Sequence, residues 1–110
     1  MKRLSYLASP YSHPDPEVRR QRFEDVCRIA GRLMSQGKLI FSPIAHTHPI
    51  AEMGDLPKGF DFWEEFDRAM LAACGELLIL RLSGWQESQG IAAEIEIATE
   101  MDIPINYIDP

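Results

Sequence analysis

Leu77-Leu78-Ile79-Leu80-Arg81-Leu82, then Ser83-Gly84-Trp85-Gln86-Glu87, then Ser88-Gln89-Gly90-Ile91-Ala92-Ala93-Glu94, is the stretch on which the fold turns. A short apolar run bounded by turn formers describes a strand buried on both faces, and Ser88 is placed to cap a helix that follows it. A strand of that kind leading into a helix is the repeating unit of a parallel sheet covered on both sides.

The same unit recurs upstream. Leu4–Ala8 reads as a strand ended by Ser9-Pro10. Asp15-Pro16-Glu17 then supplies an N-cap, a proline at the first helical position and an acidic first turn. Phe23, Val26, Cys27, Ala30, Leu33 and Met34 repeat at helical spacing as far as Gly37, and Lys38–Phe41 forms a second strand. Asp61 is placed to cap another helix, with Phe62, Phe66, Ala69, Met70 and Ala73 on one face and Gly75 at its end. Downstream, the helix from Ser88 runs to about Met101, and Ile105–Ile108 returns as a last strand after Pro104. Between them, Ser42–Phe60 carries Pro43, Pro49, Gly54, Pro57 and Gly59 without a clear period, and is expected to be a long loop. A loop of that length lines a site or closes over one.

The pattern β-α-β-α-β-α-β predicts a three-layer α/β fold: a four-stranded parallel sheet in the order 2-1-3-4, flavodoxin- or Rossmann-like, with right-handed crossovers. The 110 residues form one domain, long enough to bury roughly 65% of the unfolded surface around a single core. Eleven Lys and Arg against 17 Asp and Glu give a net charge of −6, which excludes nucleic-acid polymers and anionic membranes as partners. Met1–Tyr6 reaches Pro10 too soon for a signal-peptide apolar region, and no run approaches the ~18 apolar residues of a membrane span. A cytoplasmic location is expected. Cys27 and Cys74 lie in apolar-periodic segments without Cys or His at metal spacing, and are expected as reduced core thiols.

In such sheets ligands bind beyond the carboxyl ends of the strands, where strand order reverses. That point lies between strands 1 and 3, where Ser9–Asp15 meets Ser83–Gly90, with the Ser42–Phe60 segment able to fold over them. Two carboxylates there stand out. At about 100° per residue, with Ile91 at zero, Glu94 falls among Ile95, Ala98, Met101 and Ile97, whereas Glu96 and Glu100 fall opposite. The same count puts Asp67 between Leu71 and Cys74, at the border of the apolar face, while Glu64, Glu65 and Arg68 lie on the polar side. A carboxylate held among apolar neighbours is costly unless it is paired or used. Each could instead cap a neighbouring loop; together they suggest acid, base or nucleophilic work at a substrate carbon.

Ser88-Gln89-Gly90 opens the last helix, where free N–H groups and the helix dipole suit a phosphate or carboxylate, and Gly90 allows close approach to the backbone. A plain cap is the alternative. Neither GxGxxG nor GxxxxGK[ST] is present, so the dinucleotide and triphosphate fingerprints are missing. His46 and His48, two apart, point the same way if extended, but no third metal ligand is evident beyond Asp55, Asp61 or His13. No metal and no cofactor are expected. Trp63, Phe60 and Phe62 could stack a planar base, with core packing expected for at least two of them. Arg19, Arg20 and Arg22 form a solvated face from which one could reach a phosphate.

Tyr6-Leu7-Ala8-Ser9-Pro10-Tyr11, Phe41-Ser42-Pro43, Asp67, and Ser88-x-Gly90-Ile91-x-x-Glu94 with Ala98 resemble, in order and over nearly the whole chain, the nucleoside 2-deoxyribosyltransferase superfamily. Within it, Gly84-Trp85 and Ala45-His46-Thr47-His48-Pro49 are most similar to a small bacterial branch. The resemblance implies glycosyl chemistry at C1′ of a (deoxy)nucleoside or its 5′-monophosphate, through N-glycosidase or 2-deoxyribosyltransferase activity. Glu94 matches the family's nucleophile and Asp67 the carboxyl that helps protonate the leaving base, a pair expected about 5–5.5 Å apart. Tyr6 would orient the nucleophile. Ser9, Tyr11, His46, Trp63, Ser88 and Gly90 fall at substrate-binding positions. Enzymes acting on free nucleosides carry an acid where this chain has Ser88, which favours a 5′-phosphate there and hydrolysis, although Glu87 could turn in and restore the acid. Related enzymes complete their pockets across subunits, so a homodimer or larger ring is expected. The alternatives are a non-catalytic nucleotide-binding or sensory domain, and a metal-dependent hydrolase using His46 and His48.

Overall fold

The computed structural model describes residues 3–57 and 59–110. Met1 and Lys2, which open the segment weighed as a leader, and Lys58 of the Ser42–Phe60 stretch lie outside the described residues. The elements run β1 (Ser5–Ala8), α1 (Pro16–Ser35), β2 (Ile40–Phe41), α2 (Pro43–Gly54), α3 (Phe60–Ala73), β3 (Glu76–Leu80), a 3₁₀ turn (Trp85–Glu87), α4 (Gln89–Glu100) and β4 (Ile105–Ile108). The sheet is parallel throughout, in the order β2-β1-β3-β4, with Tyr6 opposite Phe41 on one side and Leu77 on the other. The α/β class and strand order are those expected.

Two apolar clusters pack the sheet's faces, as the doubly buried strands require. Tyr6, Ala8, Leu77 and Ile79 point into one with Leu71, Ile91 and Ala98 from α3 and α4. Leu7, Leu78 and Leu80 point into the other with Val26, Ala30 and Leu33 from α1. Burial on both faces is what lets short strands hold, because each strand residue contributes to one core or the other. Cys74 is buried and Cys27 half-buried, and both are free. Among the described residues no helix is long and apolar enough to cross a membrane.

Ser42–Phe60 is not the long loop that its prolines suggested. Ser42 accepts from the Ala45 N–H and Pro43 follows at the first helical turn, so Pro43–Gly54 is a helix started by the same device as Asp15-Pro16 in α1. Pro49 lies inside it and removes one backbone donor without ending it. The helix after it begins two residues earlier than Asp61 predicts. Gly59 occupies the N-cap with no side-chain cap, and Asp61 sits in the first turn, where its charge suits the helix dipole.

The loops after β1 and β3 are tied together from α1. Arg22 donates to the Ser12 carbonyl at 2.9 Å and the Ser83 carbonyl at 3.4 Å. Gly84 beside it has φ +90°, and a Cβ there would lie 2.5 Å from Arg22 Nη2. Gly84→Ala is therefore expected to lower stability by about 1–2 kcal/mol through its left-handed backbone, with the urea midpoint falling at unchanged slope.

Candidate functional site

A cavity of about 580 Å³ opens at the carboxyl ends of β1 and β3, within the size range of small-molecule sites. Its walls come from the loop after β1, from α2, from the start of α3 and from the start of α4.

Glu94 is carried into the wall by the helical period of α4. Ile91, Glu94, Ile97 and Ala98 are its buried face, while Glu96 and Glu100 lie outside. Glu94 is 7% exposed. Its Oε2 accepts a 2.6 Å hydrogen bond from the Tyr6 hydroxyl, which reaches up from β1. Burial pushes the Glu94 carboxyl up to about 8; the Tyr6 bond opposes this and the nearby Asp67 charge adds to it. Asp67, half-buried on α3, borders the same cavity, and burial raises it to about 6 with the Tyr6 hydroxyl again opposing. Burial first, and then the charges of Glu94 and Asp67, push the Tyr6 phenol far up, so Tyr6 stays a proton donor at any working pH. Three groups thus share one short network in which neither carboxyl has a cationic partner among the described residues. Such an arrangement holds a proton near neutrality and can supply either a nucleophile or an acid.

Ser88 caps α4 through the Ile91 N–H at 3.1 Å, and its carbonyl accepts from the Ala92 N–H. Gly90 borders the cavity, and a Cβ there would approach only Ser88 Oγ, at 3.8 Å. Ser9 and Tyr11 line the opposite wall. Ser9 is 7% exposed and its hydroxyl has no hydrogen-bond partner among the described residues.

His46 departs from expectation. In a helix, residues two apart face away from each other, so His46 and His48 do not point the same way. His46 turns back on the start of α2, with its Nδ1 2.8 Å from the Ser42 carbonyl and its ring against Phe41, and it does not line the cavity. His48 does: Tyr11 Oη lies 2.6 Å from its Nδ1, and its ring rests on Phe23. Among the described residues no group of three or more His, Cys, Asp or Glu is placed to hold a metal. Ile44, Thr47, His48 and Ala51 all face the cavity at spacings of three and four. That stripe is the signal by which α2 and its site residues could have been found.

Trp63 lines the cavity and donates to the Pro57 carbonyl at 2.7 Å. Phe60 also borders it, 38% exposed, while Phe62 is 47% exposed, so neither phenylalanine is a core residue as expected. The arginines of α1 do not reach the cavity. Arg19 and Arg22 are held by loop carbonyls, and Arg20 pairs with Glu17 and Glu24.

No curated protein matches this chain. Residues 3–109 match the family described as a domain of unknown function, DUF1937, which spans both the sheet and every wall of this cavity, and the chain belongs to that family.

Proposed function

We propose that the cavity cleaves or transfers the N-glycosidic bond of a (deoxy)nucleoside or its 5′-monophosphate. The observation that carries this is the buried Glu94 carboxyl, held by Tyr6 at a wall it shares with Asp67. The resemblance to nucleoside 2-deoxyribosyltransferases adds to it.

In the first step a Glu94 carboxylate oxygen bonds to C1′ as the C1′–N bond breaks. The electron pair of that bond stays on the base, which takes the proton of Asp67. In the second step water, or the nitrogen of an incoming base, attacks C1′ and gives its proton to Asp67. Glu94 departs as a carboxylate. Tyr6 positions the nucleophile throughout, and Trp63 offers a face for the base. Every proton and electron pair is accounted for by these side chains and the substrates, so the reaction calls for no cofactor.

The test is incubation of the protein with ribo- and deoxynucleosides and their monophosphates, with and without an acceptor base, following free base by chromatography. Release that disappears in Glu94→Ala is the expected result. Tight binding without release, undiminished in Glu94→Gln, would replace this reading with a sensory domain.

We also propose that the protein assembles with copies of itself. Ile50 and Met53 of α2 and Phe62 and Phe66 of α3 are 60%, 91%, 47% and 40% exposed, apolar side chains that a second copy would cover. Light scattering is expected to give at least a dimer, and Met53→Lys with Phe62→Lys to shift it toward monomer; a monomeric wild type overturns the proposal.

A further inference from the structure

Within the N-glycoside reading, on which this inference rests, the geometry points to an unphosphorylated sugar. The substrate is a nucleoside, recognised through hydroxyl groups, and its 5′-monophosphate is rejected by like charge.

The charges on the cavity wall carry the argument. Asp67, Glu87 and Glu94 line it, and no Lys or Arg does among the described residues. Other described cations near these residues are committed elsewhere: Arg68, beside Asp67, pairs with Glu64 and Glu100. Arg19 donates to the His13 and Pro14 carbonyls, Arg22 to those of Ser12 and Ser83, and Arg20 to two glutamates. A buried phosphate needs charge-assisted donors, of which Arg is the usual source. Here it would meet acids.

The α4 N-terminus does not reverse that balance. Of its first N–H groups, the Ile91 N–H is taken by the Ser88 hydroxyl and the Ala92 N–H by the Ser88 carbonyl. Glu87 stands immediately before the cap and borders the cavity, where its own charge suits the helix dipole. An incoming anion therefore competes with the Glu87 charge for that potential.

A second, independent feature points to a hydroxyl-bearing ligand. Ser9 Oγ is shielded from solvent without a partner among the described residues, although Ser9 borders the cavity. A buried hydroxyl left unbonded is costly, and a group entering the cavity is the partner its position allows. A sugar hydroxyl fits both features, since it can accept from Ser9 and donate to a carboxylate.

The experiment compares matched pairs, each nucleoside against its 5′-monophosphate, by base release and by calorimetric binding to the wild-type protein. The nucleoside is expected to be favoured on the order of a hundredfold in kcat/KM or in affinity, the scale of like-charge discrimination. Glu87→Gln is expected to narrow that ratio about tenfold, mainly by improving the monophosphate. Ser9→Ala is expected to melt no lower than wild type while binding the nucleoside more weakly. A monophosphate that binds or reacts as well as the nucleoside overturns the proposal, and so does failure of both to bind. A lower melting point for Ser9→Ala would show that its hydroxyl has a protein partner and remove that support. If nucleosides bind selectively but no base is released, the catalytic reading fails while the charge selection stands.

Discussion

Glu94→Gln is expected to make the protein more stable and inactive at once. Burial raises the Glu94 carboxyl from 4.5 to about 8, so the folded chain holds a proton that the unfolded chain releases. Below pH 4.5 both states are protonated and the wild type carries no penalty. As pH rises from there to 8, the unfolded state loses the proton first, and wild-type stability falls across that interval. Above pH 8 the folded protein holds a buried anion. Glutamine carries no such charge, and its side-chain carbonyl can still accept from Tyr6. The gain from substitution should be near zero at pH 4, grow through neutrality, and reach on the order of 4 kcal/mol by pH 9. Urea unfolding of both proteins at three pH values measures it. A substitution that destabilises equally at every pH would mean the carboxyl is not held at this cost. In the base-release assay the same variant should lose roughly a thousandfold or more.

Tyr6→Phe should move the pH profile toward alkaline values while preserving the fold. The Glu94 and Asp67 pair titrates with apparent pKa values of about 8 and about 6, so between these limits it holds one proton. The productive arrangement has that proton on Asp67 and Glu94 ionised, which gives a bell-shaped rate with its maximum near pH 7. The Tyr6 hydroxyl lowers both carboxyls. Phenylalanine fills the same space but removes the bond, so both limbs shift upward, by about one to two pH units for Glu94 on the usual strength of a hydrogen bond to a charged group. Glu94 then competes more strongly for the shared proton, and the rate at the optimum should fall about tenfold. An unchanged profile with a lower rate would mean that Tyr6 only packs.

Much of this was legible from residue order. The doubly apolar β1 and β3, and the Asp15-Pro16 and Ser88 caps, obey local rules that tertiary contacts reinforce, so element type and sheet order follow from them. The inward direction of Glu94 follows from its place in a clean helical period. α2 was not legible, because Pro49 and two histidines blur a stripe that only its cavity-facing side makes apparent. Treating α2 as extended puts His46 and His48 on one face, whereas in the helix residues two apart diverge and only His48 meets the cavity. Glu87 stands on the wall because the 3₁₀ turn before α4 directs it there, and one turn of that kind leaves no periodic trace.

β1 lies inside the sheet, yet it is made before the other three strands. Its longest pairing is with β3, and the Ser5 to Glu76 bond spans 71 residues of chain. A nascent polypeptide emerging from the ribosome therefore offers Tyr6 and Leu7 no β3 partner until Glu76 and the residues after it have been added, and a truncation ending before Glu76 leaves β1 with only the two residues of β2 beside it. Synthesis in chain order cannot assemble this sheet edge by edge, because its two central strands are separated along the chain by α1, β2, α2 and α3.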